Sequence, residues 1–294
     1  MTPGAIIGAT ITIRENVVSL VRALTLLFLA AAGCTPPPTA PPREVRVLVY
    51  NIHAGKDAAG VDNLERVAAL VRETRADLVL LQEVDRGTRR SGGVDQVAML
   101  ERATGLRAAF GRTLDYDGGQ YGIALLSRWP IGGDTLVPLR VDPPQQRAGG
   151  SYEPRGALVA QVAIPDVIAR VVNTHLDASG QDHYRRQEIA SMQAIVAGLR
   201  ERLADSSGMP ALVVAGGDFN AEPGSAVHAA AVAAGWRDAW LECGDGTPGL
   251  TFPAKAPVKR IDYLWLTGTT RCTSARVVGG EVSDHRGLLV VLRP

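Results

Sequence analysis

Apolar runs in this sequence repeatedly end on residues able to hold a cation or move a proton. Val47-Leu48-Val49-Tyr50 runs into Asn51, and Leu78-Val79-Leu80-Leu81 into Gln82-Glu83. Val171-Val172 leads to Asn173-Thr174-His175, and Leu212-Val213-Val214-Ala215 to Gly216-Gly217-Asp218-Phe219-Asn220. Asp262 lies between Ile261 and Leu264, and Ser283-Asp284-His285 precedes a final apolar run. These are carboxylates, carboxamides and histidines. Hard divalent ions such as Mg²⁺ or Mn²⁺ prefer such oxygen-rich sets and keep several waters. Closely spaced His/Cys ligands, as zinc requires, are missing. So are a G-x-S-x-G elbow and a phosphate-binding P-loop.

Each position also has a plainer reading. Glu83 could begin a solvated loop, Asp218 could sit in a turn and Asn220 could cap a helix. His175 could be a core histidine, and Asp262 could simply pair with Arg260. The weight lies in the repetition of one chemistry at strand ends, where sheet proteins commonly build their sites. His183 and His228 fall on predicted helices and are not assigned to catalysis.

The elements that must carry these residues alternate in type. Buried strands are expected at 45–50, 78–81, 121–127, 157–164, 170–174, 211–215, 261–266 and 288–292. Helices are expected after an Asp62 or Asn63 cap, with apolar face Leu64, Val67, Ala68 and Val71, and at 94–103, 182–203 and 226–234. This pattern implies a layered α/β domain. The Pro/Gly-rich stretch 142–154 is expected to line a substrate groove.

Composition sets limits. The chain has 294 residues, 46% hydrophobic and 21% charged, an ordinary globular balance. Arg14, Glu15 and Arg22 account for the net charge of +1, so residues 43–294 sum to zero. That disfavours a strong nonspecific nucleic-acid binder, which needs a basic footprint. Residues 1–34 read as an export signal: Arg14 and Arg22 precede a short apolar run that ends at Ala32-Gly33-Cys34. The ending resembles a bacterial lipoprotein signal, with Ala31 where leucine is commoner, and it makes Cys34 a lipidated anchor at the cell envelope. A plain cleaved signal or a signal anchor are the alternatives. Residues 35–42 are a Pro-rich tether, and 43–294 form one domain. Cys243 and Cys272, once exported, either pair or remain as buried thiols.

Taken in order, Tyr50-Asn51-Ile52, Gln82-Glu83-Val84, Tyr121-Gly122, Asn173-Thr174-His175-Leu176, Gly217-Asp218-Phe219-Asn220, Arg260-Ile261-Asp262-Tyr263 and Ser283-Asp284-His285 resemble the endonuclease/exonuclease/phosphatase superfamily. The resemblance implies a four-layer α-β-β-α sandwich of two packed, mostly antiparallel mixed sheets, with the site at one rim. It implies hydrolysis of a phosphoester by in-line water attack, most simply of a phosphodiester, with a phosphomonoesterase or a silent binding module as other readings. Glu83, Asn51 and Asp284 would hold Mg²⁺ or Mn²⁺. Asp218 would activate water, and Asn220 would hold a phosphate oxygen and position Asp218. His285 would bind the phosphoryl group, with Asp262 charging its ring. His175 would serve as acid to the leaving group, and Tyr121 and Arg155 would face the phosphate. The substrate would be a small molecule, a lipid headgroup or nucleic acid, and the protein a monomer. One departure is His53, where many abasic-site endonucleases carry an aspartate.

Overall fold

The computed structural model describes Met1 and residues 44–144, 153–204 and 211–294. The export segment, Cys34, the Pro-rich tether and most of the 142–154 stretch lie outside these residues.

Two six-stranded sheets make up the middle of the domain. From edge to edge, the first runs β11 (Arg271–Val278), β12 (Gly287–Arg293), β1 (Val45–Asn51), β2 (Leu78–Arg86), β4 (Gly119–Ser127) and β3 (Arg107–Tyr116). The second runs β5 (Ile131–Leu139), β6 (Arg155–Ile164), β7 (Val167–His175), β8 (Ala211–Asp218), β10 (Asp262–Leu266) and β9 (Arg237–Asp238). The pairs β1/β2 and β7/β8 are parallel, and the other neighbours are antiparallel.

Successive side chains of a strand point to opposite faces, so an interior strand here must be apolar on both. Val45, Val47 and Val49 meet Leu158, Val171 and Val214 in the core between the sheets. Leu48 and Tyr50, from the same β1, pack under α1 (Leu64–Thr74) and α2 (Gln96–Thr104). On the other side Val172, Val213 and Trp265 pack under α3 (His183–Ala204) and α4 (Ala226–Ala233). The order is helix, sheet, sheet, helix, as expected. Every strand anticipated from an apolar run is an interior strand. The ones not anticipated, β3, β5, β9 and β11, are the four sheet edges.

Asn63 does not cap α1 with its side chain. Its amide donates instead to the carbonyls of Ile52 and Val282, tying two loops together. A disulfide joins Cys243, at the end of a short helix α5 (Ala239–Cys243), to Cys272 on β11.

The topology brings the polar strand ends to one rim. β1, β2, β7 and β8 run the same way and deliver what lies at their C-terminal ends. The antiparallel β4, β6, β10 and β12 deliver what lies at their N-terminal ends. Two buried amides lock the sheets behind that rim. Gln82 donates to Asn173 Oδ1 at 2.8 Å, and Asn173 donates to the carbonyls of Leu81 and Ala124 at 2.9 Å each.

Candidate active site

Asp218 lies at the centre because of strand register. In the second sheet it pairs with His175 on β7 and with Asp262 on β10. Gly217 allows this close approach: its φ is +139°, and a Cβ there would collide with the Thr174 carbonyl. After Asp218 the chain turns at Asn220, whose φ of +47° suits asparagine. The Asn220 backbone N–H donates to Asp218 Oδ1 at 2.9 Å.

His285 reaches Asp218 from the other sheet. Its Nδ1 is 2.9 Å from Asp262 Oδ2, and its Nε2 is 3.6 Å from Asp218 Oδ2. Burial works against a charge on this ring, but Asp262 and Asp218 outweigh it and hold the pKa up at about 10. His285 is therefore an imidazolium at neutral pH. Asp218 is shifted upward, by burial first and by Asp262 second. A carboxylate in that position has a raised affinity for a proton.

Asn51 spans the two sheets. Its amide nitrogen donates to Glu83 Oε1 at 3.0 Å and to Asp218 Oδ2 at 3.1 Å, while its oxygen accepts the His53 N–H at 3.0 Å. This partner set fixes the amide orientation. Asn51 presents donors to both carboxylates and so tethers them, and its oxygen, the atom expected at a metal ion, keeps a second lone pair beside the His53 N–H. The Asn220 amide donates to His175 Nε2 and to the Leu176 carbonyl at 3.0 Å each, and the Asn220 backbone helps position Asp218. His175 is held well below its ordinary pKa, by burial first and then by Arg155 and His285. Its Nε2 faces the Asn220 amide and lies 3.6 Å from Asp218 Oδ2, and its Nδ1 has no hydrogen-bond partner among the described residues.

Glu83, Tyr121, Arg155, His175, Asp218, Asn220, Asp284 and His285 line one pocket of about 230 Å³. Asn51 and Asp262, both fully buried, lie directly beneath it. Glu83 sits at a β-bulge with φ +56°, a strained geometry that aims its carboxylate off the strand. Asp284 is shifted upward, by burial first, with Glu83 adding to the shift and His285 and His53 opposing it. Two partly desolvated carboxylates facing the same hollow fit a hard divalent cation. A second group, Asp218, Asp262 and His285, has ligand atoms within 4.8 Å of one another.

The pocket also has walls that the strand-end reading misses. Arg90 stacks over Tyr116 and Tyr121, with its guanidinium 4.6 and 5.3 Å from their ring centroids. Buried Asp85 accepts two hydrogen bonds from it, both at 2.8 Å. Arg90 belongs to a 3-10 turn and Tyr116 ends an edge strand, so neither follows an apolar run. The clue in the sequence is Asp85 itself, an acid inside a buried strand. Glu153 lines the pocket too, as expected for the end of the 142–154 stretch. The Phe252 ring packs 4.7 Å from that of His285.

The sequence profile described as Endonuclease/Exonuclease/phosphatase family matches residues 48–285. The chain belongs to that family. The endonuclease/exonuclease/phosphatase family includes metal-dependent phosphoesterases, and its enzymes typically depend on a divalent ion. An uncharacterized protein from Escherichia coli K12, YbhP, is 28% identical over 254 residues, 83% of this chain and 94% of that protein. Among solved structures, a family member from Bacteroides vulgatus superimposes with a TM-score of 0.68 at 20% identity. The match covers 86% of this chain and 99% of the other. A mannosyl-6-phosphatase from Bacteroides thetaiotaomicron superimposes with a TM-score of 0.66 at 18% identity, over 84% and 99%. Both show the shared fold.

Proposed function

We propose that this protein is a divalent-metal-dependent phosphodiesterase acting by in-line water attack. The carrying observation is that the site opens on two sides. The pocket of about 230 Å³ meets a second hollow of about 560 Å³, and Ala178, Asn220, Phe252 and His285 line both. A phosphodiester carries a substituent on either side of phosphorus, and a reaction centre at such a junction suits it.

The residues divide the work. Asp218 Oδ2 takes a proton from the attacking water, its basicity raised by burial. Asn51 and the Asn220 backbone hold that carboxylate in place. His285, kept cationic by Asp262, meets the charge that grows on a nonbridging oxygen. Arg155 and the protonated Tyr121 hydroxyl face the same hollow. Glu83 and Asp284 would hold the metal ion. When bound, it would neutralise charge on the phosphoryl and departing oxygens.

Bis-p-nitrophenyl phosphate and p-nitrophenyl phosphate, assayed with Mg²⁺, Mn²⁺ or EDTA, test this reading. The diester should be the faster substrate, and activity should vanish on chelation. A faster monoester would replace the assignment with a phosphomonoesterase. Activity that survives EDTA would remove the metal. Rates no higher than those of Asp218→Ala would leave a binding module.

We also propose that the enzyme works at the cell envelope, held by a lipid on Cys34. The Cys243–Cys272 disulfide supports an oxidising compartment. Cys34→Ser should move the protein into the soluble fraction, and unchanged fractionation would count against the anchor.

A further inference from the structure

Arg90 and Tyr116 line the catalytic hollow, yet the reaction as read above uses neither. Both are held more firmly than a solvated rim requires. Asp85, fully buried, accepts from Arg90 Nε and Nη2 at 2.8 Å each and from the Thr88 hydroxyl at 2.7 Å. The turn that carries Arg90 is fastened to the tip of the β3–β4 hairpin. The Arg89 N–H donates to the Asp117 carbonyl at 2.9 Å, and the Arg90 N–H donates to Asp117 Oδ2 at 2.7 Å. Gly119 permits the close fit, because a Cβ there would strike the backbone of Gly87 and Thr88. Tyr116 is the last residue of β3, immediately before that tip.

Three distances define the wall these residues make. The Arg90 guanidinium carbon lies 4.6 Å from the Tyr116 ring centroid and 5.3 Å from that of Tyr121, and the two centroids are 6.4 Å apart. A guanidinium sandwiched between two rings would hold their centroids apart by nearly the sum of its two distances. Here the rings instead flank it at roughly a right angle, as an edge-to-face pair. The opposite side of the guanidinium is covered by neither ring, and the side chain stays 34% exposed. The bond to Asp85 offsets much of the charge and occupies two of the three nitrogens. What faces the hollow is a fixed, flat, delocalised surface, which suits a flat π-system better than a free anion.

We propose that Arg90 and Tyr116 form a stacking subsite for a flat, unsaturated ring on one substituent of the phosphoester, an inference that rests on the phosphoester reading above. A nucleobase and an aryl alcohol share this chemistry.

Calorimetric titration of the full-length protein with Mg²⁺ present tests it with two pairs of ligands. AMP adds a base to the sugar phosphate of ribose 5-phosphate. Phenyl phosphate and cyclohexyl phosphate keep one ring size and differ in flatness. The flat member of at least one pair should bind about tenfold or more tightly, and the pair that shows it tells nucleobase from aryl group. Tyr116→Leu should bring that ratio close to one, while Tyr116→Phe should keep it. Arg90→Lys retains the charge but loses the plane, so it should lower the ratio severalfold. Equal binding within both pairs by wild type would overturn the inference. So would a ratio unchanged in Tyr116→Leu or in Arg90→Lys. Because each variant is judged by a ratio, a loss of folded protein does not imitate the result. Inorganic phosphate separates the two levels. If neither it nor any of the four esters binds, the phosphoryl site itself is misplaced. If it binds while neither pair shows a preference, only the stacking subsite fails.

Discussion

Asp218 combines two demands that oppose each other in water. It must be ionised to accept a proton, yet it lies almost fully buried beside a second carboxylate. The imidazolium of His285 reconciles them by placing a cation against both acids. Asp218→Asn keeps the size and one of the two accepted hydrogen bonds, from Asn51 or from the Asn220 N–H, but removes the base. We expect kcat to fall about 10²–10⁴-fold with an unchanged circular dichroism spectrum. Glu188, on α3 and within electrostatic reach of Arg155, offers a residue-scale test of burial. It is fully buried, with Oε2 accepting the Asp177 N–H at 2.8 Å and Oε1 unpartnered among the described residues. Burial pushes its carboxyl from the ordinary 4.5 up to about 7. The folded state then holds an extra proton between those pH values, so stability falls as pH rises through the interval. Glu188→Gln should stabilise the protein by about 2–3 kcal/mol above pH 7, and the gap should close below pH 4.5. Calorimetric melting at pH 4, 6 and 8 checks this.

Interior strands were legible in the sequence and edge strands were not, for one physical reason. An interior strand such as β1 is covered on both faces and must be apolar throughout. An edge strand is covered less and can carry the polar and breaking residues that blunt it against aggregation. β11 exposes Arg271, Thr273, Ser274 and Arg276, and β5 includes Gly132, Gly133 and Pro138. Neither shows an apolar run. The site follows the same rule. Asp218, His175 and Asp262 stand where apolar runs stop, whereas Arg90 stands on a turn whose position depends on a tertiary contact with Asp85. Geometry also supplied what residue types could not, namely which way Asn51 and Asn220 point. The amide clamp between β2 and β7 carries an element-scale prediction. Asn173→Ala would take a donor from the Leu81 and Ala124 carbonyls and leave the Gln82 amide only its bond to the Leu80 carbonyl. Urea unfolding should report a loss of about 2–4 kcal/mol.

Across the whole molecule, the Cys243–Cys272 bond acts as a clasp. It joins α5, which follows the edge strand of one sheet, to β11 at the edge of the other. Both sulfurs pack against the core between the sheets. The sequence left the pairing open because residues 29 apart need not meet. Closing a loop of that length restricts the unfolded chain by about 3–4 kcal/mol. Reduction should lower the melting temperature by several degrees while leaving kcat at 25 °C unchanged. A matching loss of kcat would show that the clasp reaches the site.

The register of β1 against β12 has a geometric corollary. Val45 pairs with Leu292, and Asn51 sits at the far end of the same strand. The domain thus enters and leaves at neighbouring points, roughly 20 Å along β1 from the reacting groups. A handle fused at either end, or a bead holding the protein by it, would leave the mouth of the site open. A peptide bridging the two ends would permit the chain to be cut and re-started at an outer loop without rerouting a single strand.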